Sequence, residues 1–169
     1  MSRLGYLWGV IPIDALALLF LLARRRFRDG LFLGLAVIGS AILNIVAKNH
    51  YARLRPDLWI SLTPETTYSF PSGHAMGSTA LALAMILLCW PTRGRWLVTT
   101  ASMLFVLLVA LSRIYLGVHY PSDILAGWAA ASAWTIGMYI LVDRKAPPPP
   151  PSAAPARDTV GAATVPSTG

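Results

Sequence analysis

PSGHAMGSTALALAMILLCW, residues 71–90, is a short cap-like tetrad followed by a charge-free, mostly apolar run. Pro71, Ser72 and Gly73 are residue types that open a helix, and Ala75 to Trp90 carries no charge. Four more apolar blocks lie on either side of it: Tyr6 to Ala23, Leu31 to Ala47, Trp96 to Ser112 and Ile124 to Val142. Each is long enough to be read as a crossing of a hydrocarbon core of roughly 30 Å. The expected fold is therefore all-α, a polytopic transmembrane bundle of about five helices. Pro12 and Asp14 interrupt the first block, so its helix can also start near Pro12 with Asp14 in the first turn. A cleaved signal peptide fits poorly, because the basic cluster follows the first apolar run and no small-residue cleavage site accompanies it.

Composition agrees with the pattern. Of 169 residues, 56% are hydrophobic and 12% charged, and mean hydropathy is +0.59, too apolar for an ordinary soluble domain. The net charge of +7 and pI near 10.2 would raise the question of nucleic acid, but the positions of the charges argue for topology instead. Arg24, Arg25, Arg26 and Arg28 follow one block, Arg93 and Arg95 separate two others, and Arg144 and Lys145 follow the last. By the positive-inside rule these loops are cytoplasmic, which sends the N-terminus outside and the C-terminus inside. Lys48 to His74 and Arg113 to Asp123 then face outward, and Trp90 and Trp96 flank a basic loop as an interfacial aromatic belt would. This assigns residues 1–145 to a membrane domain. Residues 146–169, opening on Pro147 to Pro151 and poor in large apolar side chains, are expected to form a disordered cytoplasmic tail. The single cysteine, Cys89, excludes an internal disulfide and is read as lipid-facing or core filler.

The outward segments hold three short groups. Lys48 and Arg55-Pro56 stand seven residues apart, so a helix running on past Ala47 would project both cations from one face until Pro56 ends it. Ser72 and Gly73 suit a helix cap; equally, the Ser72 hydroxyl and the Gly73 N–H at a helix N-terminus suit an anionic oxygen, with His74 beside it. In Ser112-Arg113, His119 and Asp123, the last two are separated by about one helical turn, since Pro121 marks a first turn. That spacing allows the carboxylate to hold one imidazole nitrogen and leave the other exposed, and it also suits a structural hydrogen bond.

In order, the groups spell Lys-x6-Arg-Pro, Pro-Ser-Gly-His and Ser-Arg-x5-His-x3-Asp, with every fixed position filled. The chain thereby resembles the type 2 phosphatidic acid phosphatase family, which includes bacterial lipid phosphate and isoprenyl diphosphate phosphatases and shares its site with vanadate-dependent haloperoxidases. The match covers about Leu31 to Val142. Membrane members usually carry one helix more than the blocks counted here, and the deficit lies ahead of the first motif. The resemblance implies that His119 is the nucleophile, positioned by Asp123, that His74 protonates the leaving oxygen, and that Lys48, Arg55, Arg113, Ser72 and Gly73 bind the phosphate. It implies a lipid substrate at the outer membrane face, such as undecaprenyl diphosphate, phosphatidylglycerophosphate or phosphatidic acid, and a phosphohistidine intermediate.

No cofactor or metal is expected, because two-metal phosphatases need several converging carboxylates or histidines. The seven acidic residues here are scattered, and of them only Asp123 falls in a motif. His50 is read as an ordinary interfacial loop residue, and Arg53 as a solvated loop charge with assistance in headgroup binding as the alternative. Two alternatives stay open: transfer of the phosphoryl group to an acceptor alcohol instead of water, and a headgroup binder or transporter with no chemistry.

Overall fold

The computed structural model describes residues 10–56 and 67–143, and these form five helices. They are α1 (Val10–Ala23), α2 (Phe27–Tyr51), α3 (Gly73–Cys89), α4 (Arg95–Tyr115) and α5 (Pro121–Asp143). The proline-rich tail expected beyond residue 145 lies outside the described residues. Three helices, α2, α4 and α5, are long and apolar enough to cross a membrane, whereas α1 and α3 are shorter apolar helices.

Helix α3 is the centre of the bundle. Eleven of its 17 residues are buried, among them Ala75, Gly77, Ser78, Ala80, Ala82 and Ala84, and α2, α4 and α5 all pack against it. Where lipid offers an apolar surface as good as another helix, association depends on close backbone approach, which small side chains permit. The same logic places Gly39 of α2 under Trp134 of α5. A Cβ there would stand 2.3 Å from the indole ring, whose Nε1 donates to the Leu35 carbonyl at 2.9 Å.

Large apolar side chains point outward. Leu97 (76% exposed), Leu111, Ile38, Ile45 and Leu16 all lie on the outer surface, and this surplus of exposed apolar side chains is what a bilayer solvates. Trp90 and Trp96 meet edge-on at 6.1 Å with the Arg95 guanidinium near both rings, an interfacial arrangement of aromatic and cation.

Four helices extend beyond the charge-free blocks that announced them. Helix α2 begins at Phe27, four residues ahead of Leu31, and ends at Tyr51. It stops because Ala52 turns left-handed, with φ of 44°. Arg55 therefore lies beyond the helix, and the expectation that Lys48 and Arg55 share one helical face is corrected. His50, expected in a loop, belongs to the last turn of α2, exposed and edge-on to Tyr51.

Candidate functional site

The end of α2, the starts of α3 and α5 and the end of α4 all meet at one end of the bundle, together with the chain on either side of residues 57–66. Lys48 and Arg55 converge there without a shared helix. The Lys48 Nζ donates to the Tyr68 carbonyl and reaches Thr67 Oγ1 at 3.5 Å. Arg55 grips the same segment, with Nε donating to the Thr67 carbonyl at 2.7 Å and Nη2 to Thr67 Oγ1 at 3.0 Å. Its other nitrogen, Nη1, donates to the Val118 carbonyl at 2.7 Å and stands 3.3 Å from His119 Nε2.

That last approach fixes the chemistry of the imidazole. A guanidinium stays charged and only donates, so the His119 Nε2 facing it presents a lone pair, and the ring proton belongs on Nδ1. Nδ1 lies 3.5 Å from Asp123 Oδ2, and both side chains are essentially buried. The two groups face each other at a separation longer than a usual hydrogen bond.

Asp123, the third residue of α5, is 0% exposed and surrounded by donors. Its Oδ1 accepts from Arg53 Nη1 at 2.8 Å, and its Oδ2 accepts from the Tyr120 N–H at 2.9 Å and from the Ser69 hydroxyl. Arg53, expected to be a solvated loop charge, is thus the ion partner of the buried carboxylate. Its guanidinium also covers the Tyr120 ring at 4.1 Å and donates to Ser122 Oγ at 2.9 Å. The Asp123 backbone carbonyl accepts the Ser72 N–H at 3.1 Å, which ties the start of α3 to the first turn of α5.

Ser72 is buried and is the N-cap of α3, with its Oγ accepting from the Ala75 N–H at 3.5 Å. A hydroxyl that accepts in a cap keeps its own proton to donate. Gly73 follows at the first helical position, where the backbone N–H has no intrahelical acceptor. Asn44 of α2 crowds it: a Cβ on Gly73 would stand 3.0 Å from Asn44 Oδ1, while Asn44 Nδ2 donates to the Pro71 carbonyl at 3.1 Å. His74 is the next residue of α3, half-buried in its first turn. Arg113, in the last turn of α4, donates to the Ser112 hydroxyl at 2.9 Å, and its carbonyl accepts the Val118 N–H at 3.4 Å. It is therefore anchored one short turn from the strand of chain that carries His119.

Three contributors escaped the sequence reading. Asn44 left a trace, as an amide inside an apolar block is costly unless it is bonded. Ser69 left none. Gly127 of α5 lies one turn beyond Asp123, and a Cβ there would stand 3.1 Å from the Ser72 carbonyl and 3.2 Å from Ala75 Cβ, so its missing side chain lets α5 reach the start of α3.

Comparison with known proteins fits this geometry. The PAP2 superfamily pattern matches residues 29–147. The chain is 33% identical over 154 residues to an undecaprenyl-diphosphatase of Sulfolobus acidocaldarius, spanning 87% of this chain and 69% of that protein. It is 34% identical to phosphatidylglycerophosphatase B of Bacillus subtilis, over 62% of this chain and 54% of that protein. A decaprenylphosphoryl-5-phosphoribose phosphatase of Mycobacterium tuberculosis matches at 36%, over 69% and 62%. Among solved structures, a transmembrane PAP2-type phosphatidylglycerolphosphate phosphatase from Bacillus subtilis superposes with a TM-score of 0.69 at 27% identity, covering 84% of this chain and 71% of that one. With the superfamily pattern running through most of the chain and a solved PAP2 enzyme sharing its helical frame, the chain belongs to the PAP2 superfamily and is a phosphatase of that class.

Proposed function

We propose that the chain hydrolyses the phosphate or diphosphate of a membrane lipid, without a metal, through a phosphohistidine on His119. The observation that carries the reading is the 3.3 Å approach of Arg55 Nη1 to His119 Nε2. It sets a cation suited to phosphate against a nitrogen whose lone pair faces it, with a carboxylate behind the other ring nitrogen. A lipid headgroup would enter there, its phosphate oxygens replacing the imidazole as acceptors for Arg55 and taking charge from Lys48 and Arg113. Ser72 Oγ–H and the Gly73 N–H would add directional donors.

His119 Nε2 attacks phosphorus in line, and the bond to the lipid oxygen breaks with its electron pair on that oxygen. His74 gives the departing oxygen a proton, while Asp123 stabilises the positive charge developing on His119. Water, surrendering a proton to His74, then cleaves the N–P bond to release inorganic phosphate and restore the imidazole. A carboxylate held by Arg53, Ser69 and the Tyr120 N–H suits this orienting role better than metal ligation, because its lone pairs are already committed.

We further propose that all five helices lie across the bilayer, with this site at the outer face and the C-terminus inside, which matches substrates whose tails stay in lipid. The relatives' names favour prenyl diphosphates and phosphatidylglycerophosphate, and phosphatidic acid has the same headgroup chemistry. The test is phosphate release by detergent-solubilised protein from a panel of these lipids with EDTA present. Release should persist in EDTA, be inhibited by vanadate, and fall on the order of 10³-fold or more in His119→Ala. Full activity in that variant, or activity abolished by EDTA and restored by a divalent ion, would overturn the mechanism.

A further inference from the structure

At the end of the bundle away from His119 lies a cavity of about 320 Å³ between the α1–α2 turn and the ends of α3 and α5. Arg25, Arg26 and Arg28 line one side, and Phe32, Leu88 and Tyr139 line the other. Helix α2 runs from Phe27 beside this cavity to Lys48 at the catalytic end, roughly 30 Å at its usual rise, so this is a separate place in the molecule.

The backbone of Arg25 is the second observation. Helix α1 ends in a Schellman turn: the Arg26 N–H donates to the Leu21 carbonyl and the Arg25 N–H to the Leu22 carbonyl, both at 2.9 Å. The residue between, Arg25, has φ of 56°. That position ordinarily takes glycine, because a side chain is strained there. A residue with a side chain kept in this conformation directs attention to what that side chain could hold.

The neighbouring charges are not equivalent. Arg26 is paired with Asp29, and Arg28 Nη2 donates to the Val142 carbonyl at 2.6 Å, closing the end of α5. Arg25 is a third basic residue lining a cavity whose acidic lining residue, Asp29, is already matched to Arg26. Phe27 (63% exposed) and Phe20 (56%) flank the turn on the lipid-facing surface.

We propose that this cavity is a binding site for a phosphate-bearing anion, held by Arg25 and Arg28, and that the anion is the headgroup of a phospholipid in the leaflet opposite the catalytic site. A guanidinium pair suits the oxygens of a phosphodiester, the volume suits a headgroup, and Phe32, Leu88 and Tyr139 offer an apolar wall for the glycerol end of the lipid. Such a lipid would bridge the α1–α2 turn, α2 and the ends of α3 and α5.

The test is native mass spectrometry of the full chain from detergent, counting retained phosphatidylglycerol against phosphatidylcholine. Wild type should retain phosphatidylglycerol in preference. Arg25→Gly, which removes the side chain and relieves the backbone, should weaken retention about tenfold while thermal stability in lipid-free detergent is unchanged or higher. Arg25→Lys, which keeps the topological charge, should fall between the two. Lys48→Gln/Arg55→Gln, which disables the catalytic end, should retain the lipid as wild type does. An arm with excess inorganic phosphate separates the sources: persistence of the lipid assigns the site to a headgroup, and displacement by phosphate assigns it to a free anion. Retention unaffected by Arg25→Gly, or lost only in Lys48→Gln/Arg55→Gln, would overturn the proposal and leave the arginines to topology alone.

Discussion

Asp123 shows how much of a site can depend on residues outside its motifs. Its carboxylate is fully buried, yet His119 is its most distant polar partner at 3.5 Å, while Arg53, Ser69 and the Tyr120 N–H hold it more closely. These three set the direction from which Oδ2 meets the imidazole, so in the proposed mechanism they would position the nucleophile. Arg53→Ala should lower kcat about 10- to 100-fold through misplacement of the Asp123–His119 pair, with a smaller change in KM. Arg53→Lys should restore part of that loss, because a point charge replaces the ion pair but not the stacked fork on Tyr120. Steady-state kinetics of the two variants check this, and a rise in KM alone would mean that Arg53 binds headgroup instead. Because the Arg53 side chain is 40% exposed, solvent screens the pair, and the effect on stability should be small beside that on turnover.

At the level of elements, helix existence was legible and helix ends were less so. Five apolar blocks, four of them free of charge, announced five helices because a bilayer-facing helix must be apolar around most of its circumference, a signal that survives without homologues. The ends were hidden where polar residues continue a helix, as Asp29 and Lys48 do in α2. The stop at Ala52 was invisible, since the glycine or asparagine that usually marks a left-handed turn is absent there. For the site, motif spacing named residues on four elements, but it could not show that residues 67–69 return to join Lys48, Arg55 and Asp123, because that contact is made by loop path and not by periodicity. Small residues between helices yield a prediction at this scale. Gly127→Ala should destabilise by about 1–3 kcal/mol, because its Cβ meets the Ser72 carbonyl and Ala75 at 3.1 and 3.2 Å, and activity should fall as α3 and α5 are pushed apart. Gly137→Ala, on the same helix with nothing within 4 Å, should be neutral or stabilising by up to about 1 kcal/mol. Thermal unfolding in detergent, followed for both variants, distinguishes a tight interface from general intolerance of substitution.

Over the whole molecule, the described cations divide between two ends separated by an apolar belt. Arg24, Arg25, Arg26, Arg28, Arg93 and Arg95 occupy one end, and Lys48, Arg53, Arg55 and Arg113 occupy the other. In the proposed orientation the positive-inside bias would turn the first group toward the cytoplasm. The second group then works against that bias, and its members are explained by partners: Arg53 by Asp123, and Lys48 and Arg55 by the loop they grip and the phosphate they would bind. Orientation can therefore be tested with single thiols. In a Cys89→Ser background, Leu54→Cys lies in the loop at the end that holds His119, where Leu54 is 79% exposed, and Thr92→Cys lies in the exposed α3–α4 turn at the other. A membrane-impermeant maleimide added to intact cells should label Leu54→Cys and spare Thr92→Cys, and inverted vesicles should reverse the pattern. Labelling of both from one side would mean that the two ends do not lie across a bilayer from each other. Labelling of Thr92→Cys alone in intact cells would put the histidines at the cytoplasmic face and hand the positively charged turns to the outside, against the charge bias from which the orientation was argued.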